Sequence, residues 1–229
     1  MTRTEFEPIT DTTRRAEIVG KLRRAILTGQ FQPGQKVNEL RISEQMRVSR
    51  APLREAIREL VQEGLLTNVP YAGASVIDVT AKDIADAYSL HHVLEEFAIE
   101  RVWPLRDETF LKELDMRHEA VKQATIAGDL TRQIETALKL HSLIYEWVDH
   151  PLLLDTWQRL AGRLQMYFAL HQQARDEAVP AVDMHEDYVR LLTGDDIAAA
   201  KSYAHEHIDW DFEELVAYAK SLEESGKKK

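Results

Sequence analysis

From Thr80 onward the chain carries apolar residues at helical spacing almost without pause, broken at Pro104, Gly128, Pro151, Pro180 and Gly194. Apolar positions three and four apart share one face of an α-helix, and proline or glycine ends such a run. The pattern predicts helices over 83–103, 108–127, 129–149, 151–172, 182–193 and 195–222. Six amphipathic helices on short loops bury their stripes by packing as an antiparallel bundle. The closing SGKKK is expected to fray.

The first eighty residues read differently. Ile18, Val19, Leu22, Ile26 and Leu27 mark a first helix from Thr12 to Leu27, stopped by Gly29 and Pro33-Gly34. A short second helix fits Glu39 to Met46, and a third fits Ala51 to Glu63, with Ser49 as its cap and Pro52 tolerated in its first turn. LLTNVPYAGASVIDV then places β-prone residues on both sides of Pro70 and Gly73, which predicts a two-stranded hairpin. Three short helices and a β-ribbon make a winged helix-turn-helix. The expected fold is therefore mainly α, with a winged helix-turn-helix over 1–78 and an antiparallel all-helical bundle over 79–229.

Charge supports this division. The net charge of −10 looks wrong for a nucleic-acid binder, but residues 1–80 hold 12 Lys+Arg against 10 Asp+Glu (+2), and residues 81–229 hold 17 against 29 (−12). A near-neutral head still binds phosphates if its arginines cluster, because the local field governs the contact. Without cysteine the chain has no disulfide, thiolate metal site or cysteine nucleophile, so any borderline-metal chemistry falls to histidine. The start MTRTEFEPIT has no basic-then-apolar leader, and no stretch approaches the ~20 apolar residues of a membrane span. A cytoplasmic protein without a membrane partner is expected.

VSRAPLREAIRELVQEGLL sets Arg50, Arg54 and Arg58 four apart along one side of the third helix, with Leu53, Ile57, Leu60 and Val61 on the other. A helix that enters the major groove needs this division: polar residues toward bases and phosphates, an apolar back toward the core. Ser49 and Arg50 at the helix start are the first candidates for direct contact. Arg-Glu alternation is also common on a solvated face, so the helix alone leaves that reading open.

The order of elements carries more weight. AILTGQFQPGQKVNELRISEQMRVSRAPLREAIRELVQEGLLTNVPYAGASV resembles the N-terminal domain of the GntR family of bacterial regulators, with the core SR-x-P-x-REA-x-x-x-L-x-x-EGL. The resemblance covers roughly residues 12–79. It implies that Ser49, Arg50 and Arg54 contact a double-stranded operator and that the wing around Gly73 enters the minor groove. Many relatives carry a polar or basic residue where this chain has Leu40, and Arg41 is the substitute at hand. Inverted-repeat operators in the family, together with one small reading head per chain, imply a homodimer.

Residues 81 to about 222 resemble the FCD ligand domain of the FadR-type branch, which binds small carboxylic acids and often a divalent metal. Metal-binding members present an Asp and a His four apart, then two histidines 22 apart. His141, His185 and His207 match the three histidines, and Ala137 stands where the Asp is expected. The spacing is also sensible in itself. His141 lies in the stripe Leu130, Ile134, Ala137, Leu138, His141, Tyr145, Val148; His185 lies with Val182, Val189 and Leu192; His207 shares a face with Ala200, Ala204 and Ile208. If the last two helices fold back near Gly194, His185 and His207 stand about 14 and 18 Å from the turn, close enough to share an ion. Three inward imidazoles suit Zn²⁺, with the place of the missing acid left to water or an effector carboxylate.

His91 is a further inward histidine, on the stripe Ile84, Ala87, Tyr88, His91, Leu94, Glu95, Ala98, where relatives often place an arginine against the ligand carboxylate. Arg159 and Arg163 either supply that cation or snorkel from the bundle edge. His205, beside Lys201, is expected to be exposed.

These readings point to a transcription repressor controlled by a small organic acid and a divalent metal, and not to an enzyme. The competing reading is a helical-bundle metalloenzyme built on the three histidines. Di-iron bundles need Glu-x-x-His pairs, and no histidine here has Glu three residues before it. No residue is nominated as a general base beside the ion.

Overall fold

The computed structural model describes residues 12–69, 73–174 and 185–226. In the first domain, helix α1 (Thr12–Leu27) buries Ile18, Val19, Leu22, Ile26 and Leu27, the stripe read from the sequence. Helix α2 (Glu39–Met46) is capped by Asn38, whose side chain accepts from the Arg41 N–H at 3.0 Å. Arg47 then takes the left-handed conformation (φ 53°) and turns the chain sharply into helix α3 (Arg50–Gln62). Leu53, Ala56, Ile57 and Leu60 of α3 are buried, and Val61 is half-buried. Ser49 sits at the N-cap position, but its side chain makes no capping hydrogen bond, so the expected cap is one of position only.

Strands β1 (Leu66–Val69) and β2 (Gly73–Val76) pair antiparallel, with Leu66 opposite Val76 and Val69 opposite Gly73. The preceding loop adds a further rung, as Val37 N–H donates to the Ala74 carbonyl and Val76 N–H to that of Gln35, both at 2.9 Å. The hairpin tip at Pro70 lies outside the described residues.

The second domain is helical throughout its described residues. Helix α4 (Ala81–Val102) opens on a capping box in which Thr80 and Asp83 satisfy each other's backbone N–H groups. Helices α5 (Glu108–Ile126) and α6 (Leu130–Trp147) start at the aspartate caps Asp107 and Asp129, and α7 (Pro151–Ala174) starts on proline. Helix α8 (Glu186–Thr193) follows with His185 at its N-cap position; residues 182–184 of the expected helix, with Val182 and Pro180, lie outside the described residues. Helix α5 packs on α6, α6 on α7, and α8 on α9 (Ile197–Ile208), while α4 lies against α6, α7, α9 and α10 (Phe212–Gly226).

One expected helix is two. The run 195–222 breaks at a 3-10 turn over Asp209–Asp211 between α9 and α10. Tertiary contacts hold the break, because Tyr88 of α4 donates to Asp211 Oδ1 at 2.6 Å and its ring packs on Phe212 at 5.1 Å. An apolar periodicity continues across such a turn and does not reveal it.

The two domains meet backbone to backbone. A β-carbon on Gly162 of α7 would stand 1.6 Å from the Glu63 carbonyl oxygen, and one on Gly64 (φ 78°) would stand 2.5 Å from the Arg159 carbonyl oxygen. Only residues without a side chain allow this approach. Arg23 of α1 grips Glu63 at the same corner, at 2.7 and 2.8 Å. Replacing Gly162 with Ala must push α7 off the end of α3, and overpacking of this kind costs about 1–3 kcal/mol. By contrast Gly20 is an exposed position inside α1 with open space around it, so Gly20→Ala should gain roughly 0.5–1 kcal/mol. Urea midpoints of the two variants, moving in opposite directions, check both statements.

Candidate functional site

The candidate DNA-contact residues are exposed in the first domain. Arg50 opens α3 and is exposed, Arg54 follows one turn later, and Arg58 another turn on, all on the face opposite the buried Leu53, Ile57 and Leu60. Arg54 donates from Nε to Glu39 Oε2 of α2 at 2.8 Å with its side chain still half exposed. Arg41 and Leu40 are exposed on α2. Ser49 is exposed at the start of α3, so its hydroxyl faces outward. Gly73 starts β2 at φ 86°, exposed, with open space around it.

The second cluster lies inside the bundle. His91 and Glu95 come from α4, His141 and Tyr145 from α6, Trp157 from α7, His185 from the N-cap position of α8, Tyr188 from α8 itself, and His207 from α9. His141 is buried, and His185 and His207 are half-buried around it. One nitrogen of each of these three rings lies within 4.8 Å of the others, and the Nε2 atoms of His141 and His207 are 3.2 Å apart. Two nitrogens on a tetrahedral Zn²⁺ at ~2.0–2.1 Å stand about 3.3 Å apart, so this pair already has the span of a coordination edge. The donor set therefore fits a borderline divalent ion.

On the far side of His141, its Nδ1 faces Glu95 Oε1 at 3.1 Å. Glu95 is fully buried. Tyr188 donates to Oε1 at 2.5 Å and Tyr145 to Oε2 at 2.6 Å, while His91 Nε2 stands 3.5 Å from Oε2. Burial alone would raise the carboxyl's pKa. Hydrogen bonding and charge from His141, then from His91, hold it well below the usual carboxylate range, so the group is an anion. Burial pushes both phenols well above their ordinary value, with Glu95's charge adding to it, and keeps them as donors. His207 is pushed down to about 3 by burial and then by the neighbouring His141; burial likewise lowers His91. A neutral imidazole has the free lone pair that a metal requires.

The structure places Arg159 and Arg163 at the bundle edge, the second of the two positions open to them. Among the described residues, the groups in contact with His91 are Glu95, His141 and Trp157, and neither arginine reaches it. Arg159 is exposed and pairs with Asp155 at 3.3 Å, and the Arg163 stem packs near Gly64, where α7 faces the first domain. These positions fall on a different side of α7 from the inward Trp157, so they belong to the interdomain corner. The His91 ring stands 6.1 Å from that of His141. His205 is half exposed, stacked on His92 at 4.7 Å. Glu95, Tyr145 and Tyr188 had no role in the sequence reading. The available signal was a glutamate at an inward position of α4, since a buried charge demands partners.

A winged helix-turn-helix joined to a helical domain with an enclosed polar centre is the build of a ligand-responsive DNA-binding regulator. Residues 14–76 match the bacterial regulatory proteins of the gntR family, and residues 86–209 match the FCD domain. The chain belongs to the GntR family, with an FCD domain as its second part. It is similar to the uncharacterized HTH-type transcriptional regulator YdhC of Bacillus subtilis, 28% identical over 87% of this chain and 89% of that protein. It is also similar to the gluconate operon transcriptional repressor of the same organism, 27% identical over 82% of this chain and 79% of that protein. Among solved structures, Escherichia coli McbR/YncC superposes with a TM-score of 0.72 at 20% identity, covering 89% of this chain and 97% of that one. The chain is a DNA-binding transcriptional regulator, and the metalloenzyme reading finds no support in these relatives.

Trp157 closes the centre from α7. It stacks on Tyr145 at 4.3 Å with rings within 3° of parallel, lies 5.1 Å from His91, and donates from Nε1 to Ser142 Oγ at 2.7 Å. Trp157→Ala empties a fully buried aromatic position and should cost about 3–5 kcal/mol. Urea unfolding followed by circular dichroism measures it.

Proposed function

We propose that this regulator is a homodimeric repressor whose hold on an inverted-repeat operator is controlled by a small carboxylate and one divalent ion, zinc, at His141, His185 and His207. The observation that carries this reading is the meeting of three imidazoles, two from α6 and α9 and one from the N-cap of α8, at ligand spacing, with the 3.2 Å nitrogen pair at its heart. Ala137, one turn before His141, contributes no ligand, so the remaining coordination is open to water or an effector carboxylate. The name of the gluconate operon repressor, a relative, is in keeping with repression and with an acid as effector. No helix among the described residues is long and apolar enough to cross a membrane, in keeping with action on cytoplasmic DNA.

In this reading Ser49, Arg50 and Arg54 read the major groove, Arg41 adds a phosphate contact from α2, and the wing at Gly73 enters the minor groove. Arg54 must exchange Glu39 for DNA on binding, which makes the Glu39 pair a ready alternative partner once DNA is released. Domains 1–78 and 79–229 then divide the work between reading and sensing.

Arg50→Ala and Arg54→Ala should each remove about 1–3 kcal/mol per base contact, doubled across a dimer, with helical content unchanged. Gel shifts on an operator recovered by in vitro selection, with sedimentation to count chains per operator, check this. Unchanged affinity in both variants, or a single chain on a half-site, would overturn the assignment.

Protein purified without chelator should hold up to one divalent ion per chain. His185→Ala should weaken zinc binding by orders of magnitude, and Ala137→Asp should tighten it. Elemental analysis with zinc titration decides, and neither metal nor uptake in the wild type would remove the ion from the reading. A thermal-shift screen of small organic acids with and without zinc then finds the effector, because a ligand of the folded state raises its stability.

A further inference from the structure

We propose that Glu95 is the positioning residue of the histidine centre: it fixes His141 as the Nδ1–H tautomer, turns its unprotonated Nε2 toward His207, and lends that nitrogen donor strength from a buried negative charge. The proposal rests on the three-histidine reading for its metal-binding part. Its tautomer part stands on geometry alone.

His141 Nδ1 lies 3.1 Å from Glu95 Oε1 in a place closed to solvent. If the ring proton sat on Nε2, a lone pair on Nδ1 would face a carboxylate oxygen, two acceptors in contact with no water between them. Such an arrangement forfeits a charge-assisted hydrogen bond and adds repulsion. The proton therefore belongs on Nδ1. Nε2 is then a free donor to a metal, and His207 Nε2 stands 3.2 Å from it. The ring of His141 stands between the carboxylate and the shared position, an arrangement that in metal sites fixes ring orientation and raises ligand basicity.

The partners of Glu95 define this role against that of a direct ligand. One oxygen takes the Tyr188 hydroxyl and His141 Nδ1, and the other takes the Tyr145 hydroxyl, with His91 Nε2 at 3.5 Å. His91, Glu95 and His141 lie close enough to suggest a second cation position. An ion there would have to displace both phenols from an anion they already satisfy, and would need Nδ1 of His141 stripped of its proton. Of the two phenols and two imidazoles on Glu95, His141 is the one that belongs to the three-histidine set, so the carboxylate acts on that set through it. An ion on the other face of that ring would offset the cost of burying it. Although Ala137 removes the acid expected on α6, Glu95 of α4 supplies negative charge to the same centre from behind a ligand.

Glu95→Gln keeps the shape and an oxygen acceptor but drops the charge; Glu95→Leu drops both. Chelator competition on the full chain should show zinc affinity about 10–100-fold weaker in Glu95→Gln, with one ion per chain retained. Nitrogen-15 imidazole spectra of the metal-free wild type should show His141 as a single Nδ1–H tautomer, assigned by its loss in His141→Ala. Glu95→Gln should keep that tautomer, and Glu95→Leu should release it. Unchanged zinc affinity in Glu95→Gln overturns the proposal, as do two zinc ions in the wild type with one lost in Glu95→Gln, which would make Glu95 a ligand. An Nε2–H tautomer in the metal-free wild type overturns it even if neither variant folds. A wild type that takes up no zinc instead removes the three-histidine reading, and the spectrum still decides whether Glu95 sets the ring.

Discussion

A carboxylate with no exposed surface is expensive to bury, and the second domain is arranged around satisfying one. Glu95 draws a hydroxyl from α8, a hydroxyl and an imidazole from α6, and a nearby imidazole from its own α4. Hydrogen bonds to an anion have a required direction and length, so they set the rotation and height of α4, α6 and α8 relative to one another more narrowly than packing alone. The three histidines inherit their geometry from that frame. His141 is held from behind, and His207 and His185 approach its free edge from the two helices beyond.

The same frame reaches toward the DNA-reading head through α7. Trp157 lies against Tyr145 and His91 on the inner side of that helix, and five residues later Gly162 presses on the last carbonyls of α3. Arg23 and Glu63 tie α1 into the same corner. Contact through bare backbone tolerates little slack, because interiors at close-packed density transmit displacement and do not absorb it. Helix α7 thus carries aromatic stacking on the centre at one point and a close glycine contact with the first domain at another.

Much of this was legible one-dimensionally. The bounds of α2 and the face of α3 follow from local rules: a cap at Asn38, a turn before Ser49, and apolar residues three and four apart. The pairing of LTNV with GASV follows from β-prone residues flanking a turn. His141, His185 and His207 could be named because the FCD resemblance implies three histidines at those places and the spacing across Gly194 brings two of them level; His185 stands at the N-cap position of α8. For Arg159 and Arg163 the sequence left two places open, the pocket or the bundle edge, because charge on a helix states a need for a partner without saying on which side the partner lies. The bundle put their face against the first domain.

The sequence by itself determined the order and type of nearly every element, the polarity of the reading helix and the inward histidines, since these depend on period, caps and breakers within a few residues of each other. Only the tertiary structure decided what Glu95 does, where α9 ends and α10 begins, and which surface of α7 meets α3. Those outcomes depend on atoms far apart in the chain: Tyr88 against Asp211, Tyr188 and Tyr145 against Glu95, Gly162 against Glu63. A buried anion announces in sequence that partners must exist. Which partners they are is settled by the packing of helices whose relative rotation no local periodicity encodes.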